Sequence, residues 1–268
     1  GRAGSIGFPI NKKFSHEIHS IIFDADDDCL SQIKEMHESS EVKGFFIGAE
    51  KKEINFFINY CPYTSSSYLL NDKYKNYYHK SSKNSDYVYE NVIKPIKKIR
   101  LKTRSLDGLV NEGKILPADF ISLDTQGSEY DILFNAPKLI KDEVLAINCE
   151  VSFVELYKET KLSSDIHNIL INNGFFLADI NTMNIGCYRI PSKFRAKGIP
   201  LQAETLYLKD PAFLDKKNNK YEIKIKKLAF IAITFGYTEF AYKILNSINL
   251  PKDSFSDYSS FLKKFYDK

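Results

Sequence analysis

Three carboxylates, Asp24, Asp124 and Glu150, each stand at or just past the end of an expected strand. A side chain there can accept a proton or hold a hydroxyl, because ligands of open α/β sheets gather at the carboxyl ends of strands. The richest stretch is Asp119–Leu133, DFISLDTQGSEYDIL: a short apolar strand, an aspartate, a glycine turn and an acidic helix start. Gly127 supplies the turn. Glu129 falls in the first helical turn, where the helix dipole favours an anion and the carboxylate can still face the crevice. A plainer reading makes Asp124 a turn residue, Glu129 a helix-start charge and Glu150 a sheet-rim charge paired with a lysine.

A glycine pair, Gly1 and Gly4 in GRAG, precedes Asp24 by about twenty residues, the spacing at which a phosphate- or nucleotide-type turn is followed by a ribose-binding acid. The sequence opens inside this turn, so the strand that feeds it is expected upstream.

The elements that must position these residues follow from the hydrophobic pattern. Ser20–Asp24 reads as a buried strand, Asp27–Ser39 as a helix with Leu30, Ile33 and Met36 at helical spacing, and Val42–Ile47 as a further apolar run. Glu53–Tyr60 and Pro95–Thr103 read as strands, and Leu106–Val110 as a short helix capped by Ser105. Phe120–Asp124, Val144–Phe153, Phe175–Ile180 and Thr205–Leu208 complete the strands, with a helix over Ser163–Asn173 that ends at Gly174. This alternation predicts a largely parallel sheet covered on both faces over residues 1–210. A linker at 211–221 then leads to two amphipathic helices, Ile223–Phe235 and Thr238–Leu250, joined at Gly236 as a helical hairpin within 222–268. Between the strands, Cys61–Asp72 has loop composition and Lys73–Asp86 is polar and Tyr-rich without a period. Ser65–Ser67 and the tyrosines after them are therefore expected to form a mobile cover, with Ser66 on the cofactor.

At 268 residues the chain can bury a substantial core. Its net charge of +4 does not by itself imply nucleic acid. Lysines and arginines concentrate in Lys94–Arg104, where Ile99 and Leu101 alternate with Lys98, Arg100 and Lys102: a strand with one wet face, or an anion-binding surface. No apolar run is long enough to span a bilayer, and the start lacks the apolar core of a signal peptide. Cys29, Cys61, Cys149 and Cys187 are scattered without metal or disulfide spacing, which suits a reducing cytoplasm.

In order and spacing, GRAG, FDADDD (Phe23–Asp28), PYTSSS (Pro62–Ser67), RSLDGL (Arg104–Leu109), DFISLDTQGSEYDIL, INCEVSF with its following LYKET, and QAETLYL (Gln202–Leu208) resemble the FkbM family of S-adenosylmethionine-dependent methyltransferases. The resemblance covers roughly residues 1–210. It implies a Rossmann-like class I methyltransferase sheet with helices on both faces, and an appended C-terminal helical hairpin. The implied reaction is methyl transfer from S-adenosylmethionine to a hydroxyl of a carbohydrate, or of a glycosylated or secondary-metabolite acceptor. Carried over by position, Gly1 and Gly4 match the cofactor loop, Asp24 the ribose acid, and Gly48 and Ala49 the border of the adenine. Asp124, Gln126 and Glu129 match the post-strand motif, and Glu150 the acid on the next strand.

A sulfonium methyl is already activated, so the protein must align the acceptor oxygen and remove its proton. Asp124 or Glu150 could do so directly, or through a divalent ion such as Mg²⁺ that lowers the hydroxyl pKa. Two other readings stay open: a noncatalytic assembly protein with a degenerate cofactor site, and a nicotinamide-dependent dehydrogenase. The latter shares the glycine turn but leaves the Asp124–Glu129 motif unexplained.

Overall fold

A computed structural model of the chain describes residues 8–9, 16–24, 27–36, 40–79, 87–188, 198–248, 258–260 and 262–263. Strand β1 (Ile21–Phe23), helix α1 (Asp27–Met36) and strand β2 (Glu41–Lys43) form a β-α-β unit whose two strands pair in parallel. The helix between them supplies the crossover that parallel pairing requires. There follow β3 (Phe46–Ile47), β4 (Glu53–Asn59), β5 (Tyr77–His79), β6 (Tyr87–Val88), α2 (Tyr89–Val92) and β7 (Pro95–Arg104). β7 is the centre of a three-stranded sheet, parallel to β3 and antiparallel to β4. Its alternation separates two faces. Lys98, Arg100 and Lys102 are exposed, whereas Ile99 and Leu101 turn inward and are partly buried.

The main body begins with α3 (Leu106–Asn111), whose N-cap Ser105 accepts a hydrogen bond from the Gly108 amide at 3.0 Å. It continues through β8 (Phe120–Leu123), α4 (Glu129–Phe134), α5 (Pro137–Asp142), β9 (Ala146–Ser152), α6 (Ser163–Asn172), β10 (Phe175–Tyr188) and β11 (Ile199–Lys209). These strands join β5 and β6 in a six-stranded sheet of order β6-β5-β10-β11-β9-β8. Only β8 and β9 pair in parallel there; the other contacts are antiparallel.

The pairing differs from the expected single, largely parallel sheet. Among the described residues the strands fall into three sheets, and the largest is mostly antiparallel. The physical reason lies in β10 and β11, long strands whose connection is shorter than the dozen or so residues that a parallel crossover needs, so that they return antiparallel. Sequence pattern detected only Phe175–Ile180 and Thr205–Leu208 of them, because polar residues such as Asn181, Thr182 and Gln202 interrupt the apolar run.

Alternation in the central strands feeds two cores. On one face Ile121, Leu123, Ile147, Cys149, Val151 and Tyr207 pack with apolar residues of α3 to α6. On the other, Leu145, Ala146, Leu206 and Leu208 pack against α7 (Tyr221–Thr234) and α8 (Thr238–Leu245). α7 and α8 are joined at Gly236, whose φ of +89° lies in the left-handed region that glycine enters without penalty. Tyr237 Oη further donates to the Ala178 carbonyl of β10 at 2.9 Å.

At the base of this layer Lys209 is 2% exposed. Its ammonium donates to the carbonyls of Ile140, Lys141 and Asn173 at 2.9 to 3.1 Å and lies 4.2 Å from the Phe175 ring centre. Carbonyls at the ends of α5 and α6, which the helices leave without internal donors, are thereby satisfied. Burial, with a smaller contribution from Lys224, lowers the Lys209 pKa to about 8.

Candidate active site at the β8–α4 turn

The turn after β8 carries two consecutive residues with positive φ, Gln126 at +54° and Gly127 at +103°. Glycine is required at the second: a Cβ there would come within 2.8 Å of Thr160 Cγ2. Glutamine at the first is an uncommon conformation for an L-residue and is held by its bonds. Inside the turn Glu129 is 5% exposed. Its Oε1 accepts from the Thr125 amide at 2.6 Å and Thr125 Oγ1 at 3.0 Å, and its Oε2 from the Gly127 amide at 2.9 Å. Burial raises its carboxyl to about 6; the donors from Thr125 and the turn backbone oppose this, and Asp124 adds to it.

Gln126 points the other way and connects the outer acids. Its Nε2 donates to Asp124 Oδ1 at 2.7 Å and to Glu150 Oε2 at 3.3 Å, and Gln202 Nε2 donates to the same Glu150 oxygen at 3.0 Å. Tyr157, fully buried, donates through Oη to Gln126 Oε1 at 2.9 Å and lies 3.2 Å from the Thr64 carbonyl. Ser66, also fully buried, donates to the Gln126 carbonyl at 2.6 Å. The sequence alone gave no sign of Tyr157 or Gln202 as site residues. Their partners lie 31 and 52 residues away along the chain, and only sheet pairing brings them together.

Beside this cluster lies a cavity of about 190 Å³. Asp24, Asp124 and Gln126 line its polar side, and Phe46, Phe56 and Leu101 its apolar side. The inward face of the β4–β7 ribbon is therefore a wall of the site, while the basic face of β7 points away from it. Tyr63 also lines the cavity and is 61% exposed.

The expected cofactor residues divide. Asp24 is in the cavity wall. Gly48 and Ala49 follow β3 and engage β7: the Gly48 amide donates to the Arg104 carbonyl at 2.9 Å, and the Ala49 carbonyl accepts from Thr103 Oγ1 at 2.5 Å. Ser66 reaches the site through Gln126. Gly1 and Gly4 lie outside the described residues. Among the described residues no group of three or more His, Cys, Asp or Glu side chains is placed to hold a metal ion.

The expected loose cover is bonded into the body. The Phe57 and Ser66 backbones exchange hydrogen bonds, the Asn71 amide donates to the Leu156 carbonyl at 2.8 Å, and Leu70, Tyr77 and Tyr78 are buried. Residues 80–86 of that segment lie outside the described residues.

Strand-end carboxylates beside a cavity, with helices packed on both faces of the central strands, define an α/β protein with an enzyme-like site. The model of the methyltransferase FkbM domain matches residues 25–177, more than half of the chain. The chain belongs to this family of methyltransferases. No curated protein and no solved structure matches the chain. No helix among the described residues is long and apolar enough to cross a membrane.

Proposed function

We propose that the protein is an S-adenosylmethionine-dependent O-methyltransferase acting on a hydroxyl of a carbohydrate, or of a glycosylated or secondary-metabolite acceptor, in a reducing cytoplasm. The observation that carries this reading is the bridging of Asp124 to Glu150 by the Gln126 amide, with Asp124, Gln126 and Asp24 all lining one cavity. When bound, S-adenosylmethionine supplies a methyl group on a sulfonium, which leaves with the C–S electron pair as neutral thioether. Asp24, at the end of β1, suits the paired hydroxyls of a ribose, and the phenylalanine wall suits a flat apolar ring.

Asp124 and Glu150 then serve the acceptor. A carboxylate of this pair accepts the hydroxyl proton as the oxygen forms its bond to the methyl carbon, so the proton ends on the carboxylate and the charge balances. Aligning that oxygen about 3 Å from the methyl is the other contribution. Glu129, bonded to its own turn, acts as a positioning residue.

Isothermal calorimetry with S-adenosylhomocysteine and with NAD tests the assignment. Binding of the former alone, weakened at least tenfold by Asp24→Ala with folding retained, is the expected result. Binding of NAD in its place overturns it, and binding of neither points to a noncatalytic member of the family.

A further inference from the structure

We propose that Gln126 is a positioning residue that yokes Asp124 to Glu150, and that the buried Tyr157 holds its amide in place. The inference rests on the reading of the two acids as the catalytic pair.

The two acids select one orientation of the amide. Its nitrogen faces two carboxylate oxygens, which only accept, and its oxygen faces the Tyr157 hydroxyl, which can donate. A flipped amide would set its oxygen against both acids. Tyr157 cannot move aside, because it is fully buried among Leu70, Tyr89 and Leu156. The backbone of Gln126 is fixed as well: Ser66 Oγ holds its carbonyl, and the residue keeps a φ of +54° that an unsupported L-residue leaves. Asp124, Glu150 and Tyr157 therefore converge on one side chain whose amide nitrogen is directed at both acids.

Electrostatics gives this yoke a purpose. Two nearby carboxylates repel, and each tends to retain its proton. Burial, and after it the charge of nearby acids, raises the Cys149 thiol of β9 and the hydroxyls of Tyr87 and Tyr157, so these neighbours are neutral where carboxylates titrate and add no repulsion, whereas Glu129 of α4 is a further carboxyl beside Asp124. Donors on the carboxylates offset the repulsion and keep both available as bases. Gln126 serves both acids, whereas the Gln202 amide bonds Glu150.

Carbon-13 titration of the labelled carboxyl groups in the full chain tests the yoke without reference to turnover. Interacting carboxyl groups titrate as a pair, in macroscopic steps that belong to neither residue alone. In Gln126→Met, of similar volume and without donors, both steps should rise by about one unit or more. Tyr157→Phe should move both in the same direction, since it unpins the amide, and Gln202→Met should move the titration of the Glu150 carboxyl resonance further than that of Asp124. Unchanged steps in Gln126→Met, or in Tyr157→Phe if the former does not fold, overturn the proposal. Calorimetry on the same samples keeps the two questions apart: wild-type protein that binds no S-adenosylhomocysteine sinks the methyltransferase reading and leaves the titration result standing.

Discussion

Asp124 and Glu129 are five residues apart in one motif, yet the fold gives them opposite situations. Asp124 lines the cavity and shares Gln126 with Glu150, so removing its proton affinity should strike chemistry. Asp124→Asn and Glu150→Gln are expected to lower turnover about 100- to 10,000-fold, the usual range for a general base, with S-adenosylhomocysteine affinity nearly unchanged. Full turnover in both amides would reassign the acids to the sheet rim. Glu129 is buried and its carboxyl is raised to about 6 from an ordinary 4.5. The folded state therefore holds a proton that the unfolded chain has released between those values. Its contribution is complete below about pH 4.5 and is lost as pH rises through about 6, a change of about 2 kcal/mol. Urea unfolding across this window should show the wild type falling relative to Glu129→Gln; parallel curves would mean that the burial of this group has no thermodynamic effect.

Among the elements, the strands that carry acids were legible and the segments that hold them were not. Phe120–Leu123 and Ala146–Ser152 lie inside the runs read from alternation, because the apolar residues that define a strand also fix where its polar end must fall. The Pro62–Tyr78 segment misled. Its serines and tyrosines have loop composition, but Ser66, Tyr77 and Tyr78 are buried and bonded to partners distant in the chain, which no local pattern encodes. Hydrogen exchange should accordingly find the amides of Ser66 and Asn71 nearly as protected as those of β4 in ligand-free protein, with little gain from S-adenosylhomocysteine. Fast exchange that slows only with ligand would restore the mobile cover. The antiparallel return of β10 and β11 was hidden for a related reason: pairing direction depends on the connection, which composition does not reveal.

For the whole molecule, the two faces of the central strands depend on each other. α7 is the cover of one face, with Ile225, Leu228 and Ala232 fully buried against strand residues 0 to 3% exposed. Leu228→Ala should cost about 2 to 5 kcal/mol and lower the single melting transition of sheet and helices together. Two separate transitions, with only the later residues destabilised, would make the C-terminal helices an independent unit. Lys209 offers a view of the same cooperativity from chemistry. With a pKa of about 8, a fair fraction of this amine is unprotonated in mildly alkaline solution, yet the strand that bears it lies under two helix ends. An acylating reagent can reach it only when those ends part. Lys209 is thus a natural footprint site: its labelling rate, set against that of the exposed lysines of β7, reads how often the base of the molecule breathes.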